Sequence, residues 1–204
     1  MPRRPAEHAA AMRERILEGG RRAFIAGGFR GTSVPSIAAE AGVSVGLIYR
    51  YFPSKEELFL ELCLSGTPEE LAHLAERIAP IEDPVERLTV AIDSYFDALF
   101  DAIGAPLVLQ ALAAAPADDR IREALRRRGD DLRGFSAAFT RDAIARGELP
   151  PDANVDEIAT TTTMLLDGAL VAVAEQAGSL DRDAVRDRIV RGVVAMSGLR
   201  PAPR

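Results

Sequence analysis

The sequence predicts an all-α protein, on three observations. Apolar residues recur at three- and four-residue spacing in one segment after another, no run shows convincing alternation with period two, and breaks such as Gly27-Gly28 and Pro80 separate the segments. A first helix is expected from about Ala9 to Ala26, with Ile16, Leu17, Ala23 and Phe24 on one face and the glycine pair ending it. Two short helices follow, Val34 to Ala41 and Val45 to Phe52, and then a longer one from Lys55 to about Ile78. Beyond Pro80 the pattern gives helices at Pro84 to Ile103, Leu107 to Ala115, Asp118 to Arg146, Val155 to Ala177 and Arg182 to Gly198, about nine in all. β-Branching makes Thr160 to Thr163 a poor helix former, so packing must hold that run helical. The expected division is a helix-turn-helix domain over residues 1–54 and a larger helical domain over 55–204, with the helix from Lys55 connecting them.

Charge is unevenly distributed along this outline. The 204 residues carry 25 basic and 31 acidic side chains, a net of -6, which at face value argues against nucleic-acid binding. Residues 1–55, however, hold nine arginines and lysines against four acids, a net of +5, while the remainder is strongly acidic. A basic head and an acidic body follow, with contact to a polyanion left to the head.

Several functional classes drop out. His8 lies in the expected N-terminal tail, and His73 and Cys63 complete the inventory of histidine and cysteine, so no zinc cluster, Cys-His pair or Ser-His-Asp triad is easily assembled. No phosphate loop is present either, and the expectation is a protein that is not an enzyme and uses no cofactor or metal. One cysteine cannot form an intramolecular disulfide, which suits a reducing cytosol, and Cys63 reads as a small buried apolar residue. The low-charge stretches Ala102 to Ala117 and Ala159 to Ala174 fall short of the ~18 to 20 apolar residues a membrane span needs. Met1 to Arg15 lacks the apolar core of a secretory signal, so a cytoplasmic protein without membrane attachment is expected.

The informative region is Phe29 to Leu62. Ser33 is placed to cap the first short helix, and Pro35 is tolerated in its first turn. Ile37 and Ala38 face inward, and Ala41 is small enough for another helix to cross closely. Gly42 supplies a left-handed turn, Val43 plugs the corner, and Ser44 caps a second helix whose Ile48 and Phe52 point to the core. This is a helix-turn-helix pattern, whose second helix would enter the DNA major groove. Ser54 and Glu57 then form a capping box. Lys55, the chain's lone lysine, stands in the first turn, where a cation opposes the helix dipole at ~0.3 to 1 kcal/mol. An external phosphate would offset that cost. Tyr49 and Tyr51 can turn their hydroxyls toward phosphates as well.

Through its first helix, GTSVPSIAAEAGVS and above all VSVGLIYRYFPSKEEL, the sequence resembles the TetR/AcrR family of transcriptional regulators over roughly residues 12–62. The resemblance implies a homodimeric repressor that binds palindromic double-stranded DNA and is released by a small-molecule effector. Carried over by position, Val45, Gly46 and Leu47 approach bases, Thr32, Tyr49, Tyr51 and Lys55 hold phosphates, and Arg50 does either; the caps Ser33 and Ser44 belong to the same surface. Val45 and Leu47 stand where the family usually offers polar or basic groups, which leaves thymine-methyl contact, or readout by Arg50 and DNA shape. Gly19 and Gly20 replace the family's usual alanines at ~1 kcal/mol each, and either permit close packing or leave the helix loose.

In the body, Asp167 and Gln110 are polar residues stranded in apolar helices. Asp167 needs a partner, either an arginine or backbone N–H, or a cationic or hydroxyl-bearing ligand in a cavity. Phe96 with Phe100, and Phe135 with Phe139, are spaced to wall such a pocket or to be plain core. The run Arg126-Arg127-Arg128, flanked by Glu123, Asp130 and Asp131, reads as a solvated or interfacial helix face. Ile158, Thr162, Leu165, Leu166, Ala169 and Val173 make one apolar stripe, and Val185, Ile189, Val193 and Met196 another. Together they form either a four-helix dimer interface or a cover for their own core. Two other readings stay open: a helical small-molecule enzyme or carrier, and a protein-interaction module acting through the Val185 to Met196 face.

Overall fold

The computed structural model describes the backbone of residues 5–63, 68–100, 104–175 and 180–200; the side chains of Cys63 and Phe100 lie outside the described residues. Among the described residues there are ten α-helices and no strand. They are α1 (Pro5–Gly31), α2 (Val34–Ala41), α3 (Val45–Tyr51), α4 (Lys55–Cys63), α5 (Pro68–Ile78), α6 (Pro84–Phe100), α7 (Gly104–Ala114), α8 (Asp119–Ala145), α9 (Val155–Glu175) and α10 (Arg182–Ser197), with a short 3-10 turn at Ala115–Ala117. The one long helix expected from Lys55 to Ile78 is seen as α4 and α5, on either side of residues 64–67, which lie outside the described residues. The first helix outruns its expected end because Gly28, at φ 67° and ψ 167°, kinks the chain and a last turn follows.

The chain divides into two compact units, Met1–Ser65 with Pro106–Leu125, and Gly66–Ala105 with Arg126–Arg204. The first unit therefore runs past residue 54. Leu58 and Phe59 of α4 are fully buried, and the Phe59 ring lies 4.9 Å from Phe24 and 4.6 Å from Phe29. Each such side chain contributes roughly 1.5 to 3 kcal/mol by leaving water. α1 packs on α2 and α4 through its glycines. A Cβ on Gly19 would lie 2.6 Å from the Ala41 backbone, and one on Gly20 would meet the Leu58 side chain. Close packing is thus the reason for both glycines, as the small Ala41 suggested. α7 joins this unit, and Gln110 Nε2 donates to the Phe24 carbonyl at 3.1 Å.

In the second unit α6, α9 and α10 pack together and α5 lies on α6. Thr162 and Thr163 are buried, which is how packing holds the β-branched run in α9. Arg87, with 1% of its side chain exposed, pairs with the equally buried Glu148 and donates to Ile81 O at 3.0 Å, and its guanidinium lies 5.3 Å from the Phe139 ring centre. Among the described residues no helix is long and apolar enough to cross a membrane.

Candidate nucleic-acid interface

Local capping builds the helix-turn-helix. Ser33 Oγ accepts from Ser36 N–H at 3.3 Å and Ser36 Oγ accepts from Ser33 N–H at 3.0 Å, a reciprocal box that fixes the start of α2. Gly42, at φ 62°, ends it; the next residue's amide, Val43 N–H, donates to Ala38 O at 3.0 Å. Arg15 of α1 holds this turn from outside, donating to Ala41 O at 2.7 Å and Gly42 O at 2.9 Å. Ser44 Oγ then accepts from Leu47 N–H at 3.2 Å and opens α3.

α3 buries Ile48 and turns Val45, Gly46, Tyr49 and Arg50 outward, with Leu47 and Tyr51 half-buried. Tyr49 is 53% exposed. Of the residues predicted to face bases, Val45, Gly46 and Arg50 are thus exposed on one helix and Leu47 is half-buried. α4 begins as predicted, with Ser54 Oγ accepting from Glu57 N–H at 3.2 Å.

Two predicted phosphate contacts are placed differently. Thr32 is 4% exposed; its hydroxyl is shared between Ala23 O and Gly28 O, and its N–H donates to Gly28 O. Both donors close the end of α1, so Thr32 caps that helix. Lys55 Nζ donates to Phe29 O and Thr32 O, both at 2.9 Å, and lies 4.9 Å from the Phe29 ring centre. Its ammonium thus meets the negative end of α1, which offsets its unfavourable place in α4 without any external phosphate. One N–H remains free for a ligand.

Most of the head's other cations have partners. Arg13 pairs with Glu61, Arg21 with Glu18, and Arg22 with Glu18 and Glu40. Arg30 and Arg50 are exposed, and their side chains make no hydrogen bond or ion pair among the described residues. Arg30 escaped the sequence reading, although its position between Phe29 and Gly31, with no acid within a helical turn, was a usable signal. Arg3 and Arg4 lie outside the described residues.

The residues expected to wall an effector pocket have different surroundings. Phe96 is fully buried core, Phe139 lies beside Arg87, and Gln110 belongs to the first unit. Phe135 lines an open groove of about 320 Å³ with Leu71, Ala72, Ala75, Asp130 and Asp131. Asp167 is not stranded in the core. Its side chain is 56% exposed and 4.0 Å from Arg128, an arginine partner of the kind anticipated. Partial burial raises its carboxyl above the usual carboxylate range, against the pull of Arg128. Arg128 departs from the solvated reading of its arginine run: only 11% of its side chain is exposed.

The two stripes expected at a dimer interface mostly cover their own protomer. Ile158, Thr162, Leu166, Ala169, Ile189 and Val193 are buried within the chain, and Val173 and Val185 are half-buried. The outward apolar residues described are Met164, Leu165 and Val171 on α9 and Met196 on α10, of which Leu165 and Met196, 36% and 38% exposed, belong to the predicted set. Helical periodicity marks an apolar face but not what covers it, and here α6 covers much of it.

Known proteins fit this geometry. The profile of bacterial regulatory proteins of the tetR family matches residues 16–62, and that of the BetI-type transcriptional repressor C-terminal domain matches residues 84–197. The chain belongs to the TetR family. This TetR-family regulator is 30% identical over 192 residues to the HTH-type transcriptional regulator UidR of Escherichia coli K12, covering 93% of each chain. Its fold is that of the fatty acid degradation regulator FadR from Bacillus halodurans, with a TM-score of 0.80 at 16% identity, covering 95% and 97% of the chains. FadR from Bacillus subtilis, solved with stearoyl-CoA, gives a TM-score of 0.77 at 18% identity over 89% and 97%. The protein is a DNA-binding transcriptional regulator with its helix-turn-helix at the N-terminus.

Proposed function

We propose that the protein is a homodimeric repressor whose two α3 helices enter successive major grooves of a palindromic operator and which a small-molecule effector releases. The carrying observation is the exposed end of α3, where Val45, Gly46, Tyr49 and Arg50 stand clear while every capping group behind them has an internal partner. Val45 and Leu47 would read thymine methyls, and Arg50 a base edge or a phosphate. Tyr49, Tyr51, the free N–H of Lys55 and the unpaired Arg30 would hold the backbone and set the register. A second copy would cover Met164, Leu165, Val171 and Met196. The effector would bind in the second unit and favour a state with the heads wrongly spaced, and by linkage DNA weakens effector binding equally.

Footprinting on the DNA upstream of the protein's own gene tests this reading. Two symmetric protected patches about 10 base pairs apart, or a multiple of that, are expected. A single asymmetric patch, or none, contradicts it.

A further inference from the structure

We infer that the groove between α5 and α8 binds a small organic cation, with the Asp131 carboxylate against its charge and Phe135 against its apolar body, and that this cation is the effector. This rests on the reading of the second unit as the effector-binding part.

Leu71, Ala72 and Ala75 of α5 line one side of this groove, which encloses about 320 Å³. α8 lines the other with Asp130, Asp131, Gly134 and Phe135, and all of these residues belong to the second unit. Residues three and four apart share a helix face, so Asp131, Gly134 and Phe135 stand together along one turn. The two aspartates differ. Asp130 is held by Arg126 and Arg133, one on each carboxylate oxygen. Asp131 is half-buried, and its side chain makes no hydrogen bond or ion pair among the described residues. A carboxylate partly withdrawn from water beside apolar side chains loses hydration that no protein group replaces, and a cation in the groove would replace it.

Gly134 supports the same occupant. It sits inside a 27-residue helix, at about 1 kcal/mol relative to alanine. A Cβ there would meet nothing within 4 Å, so no packing inside the protein calls for the missing side chain. Its effect is to leave the α8 side of the groove open to the backbone beside the carboxylate and the ring. Charge and size then set the ligand class. A ligand carboxylate would meet Asp131 as a like charge, and an alcohol would leave the charge of Asp131 uncompensated. An ammonium group satisfies Asp131, while its carbon body covers the half-buried Leu71 and Phe135, whose ring quadrupole adds to the attraction. A volume of about 320 Å³ is at the small end of ligand sites, which suits one ring or one short chain behind the charge.

The test uses the full chain and its Asp131→Asn and Gly134→Ala variants. Calorimetry follows binding of phenethylammonium, phenethyl alcohol and phenylacetate, and of hexylammonium, hexanol and hexanoate, so that each apolar body carries a positive, a neutral and a negative head. At least one ammonium should bind the wild type about fivefold or more tighter than its alcohol, and the matching carboxylate should bind more weakly than either. Asp131→Asn should lose that preference while melting within about 2 °C of the wild type, because the carboxylate has no protein partner to lose. Gly134→Ala should weaken the ammonium about tenfold while melting about 2 to 4 °C higher, because the added methyl enters the groove and favours the helix. The inference is overturned if neither ammonium outbinds its alcohol, if the preference survives in Asp131→Asn, or if Gly134→Ala binds as the wild type does. Operator affinity separates the site from its role. A fall when the ammonium binds supports the effector; an unchanged value, with binding still lost in both variants, upholds the site and contradicts the effector role. Absence of operator binding without any ligand contradicts the regulator reading instead.

Discussion

In the first unit Lys55, Arg15 and Arg22 donate to carbonyl oxygens at the ends of α1 and α2: Phe29 O, Thr32 O, Ala41 O, Gly42 O and Glu40 O. In the second unit Arg87, Arg182 and Arg186 pair with the carboxylates of Glu148, Asp97 and Asp93. A helix C-terminus carries only about half an elementary negative charge, so a cation capping it keeps much of its field, whereas a carboxylate cancels it. Lys55 and Arg15 are therefore ordered without surrendering their positive potential, whereas Arg22, which also pairs with Glu18 and Glu40, and the three arginines of the body surrender much of theirs. That contrast places the DNA-facing charge as much as the composition does.

The largest test concerns the body. Arg87→Met would strand Glu148 in a dry site and should cost about 3 to 5 kcal/mol in urea unfolding. A cost under ~1 kcal/mol would mean that carboxylate closure is not what holds α6 to the segment after α8. Next comes the head's framework. Gly19→Ala should destabilise by roughly 1 to 3 kcal/mol, because the clash is with backbone of α2, and Gly20→Ala by less, because the Leu58 side chain can turn away. Equal effects in calorimetry would contradict the close crossing of α1 on α2, on which the reach of Arg15 depends.

Lys55→Met comes third. Losing hydrogen bonds to two carbonyls should cost about 2 kcal/mol and weaken binding to all DNA sequences alike. Unchanged stability with weakened binding would restore Lys55 to a purely phosphate-holding role. Asp167→Asn should give the smallest change. Because the folded state raises this carboxyl, the wild type loses stability as pH rises from below the unfolded value, about 3.9, through the folded one. The variant should therefore gain on the wild type across that window and hold a small advantage above it, small because the side chain is more than half exposed. A pH series of melting curves in which the two run parallel would remove the burial argument.

How much of this was legible in the sequence follows from the reach of each interaction. α2 and α3 begin where Ser33 and Ser44 stand because a cap bonds its own helix three residues on, and Gly42 marks its turn by residue type alone. Lys55 was legible as a misplaced charge, but its partners are carbonyls 23 and 26 residues back, which carry no side-chain signature. Thr32, carried over by position from the family resemblance, likewise bonds to carbonyls, Ala23 O and Gly28 O, that leave no side-chain signature. In the body, Arg87 and Glu148 are 61 residues apart and Arg186 and Asp93 are 93 apart, so nothing local announces either pair. Arg128 was hidden in its run of three arginines, although successive helical residues point about 100° apart and need not share an environment.

The most direct measurement is the salt dependence of operator affinity for the wild type and Arg50→Ala, read by fluorescence anisotropy on the upstream duplex. Affinity should fall steeply as salt rises, and Arg50→Ala should bind more weakly with a slope reduced by about one while melting at the wild-type temperature. Salt-insensitive binding, or a variant with wild-type affinity and slope, would contradict the claim that the head keeps its positive charge for α3 to present to DNA.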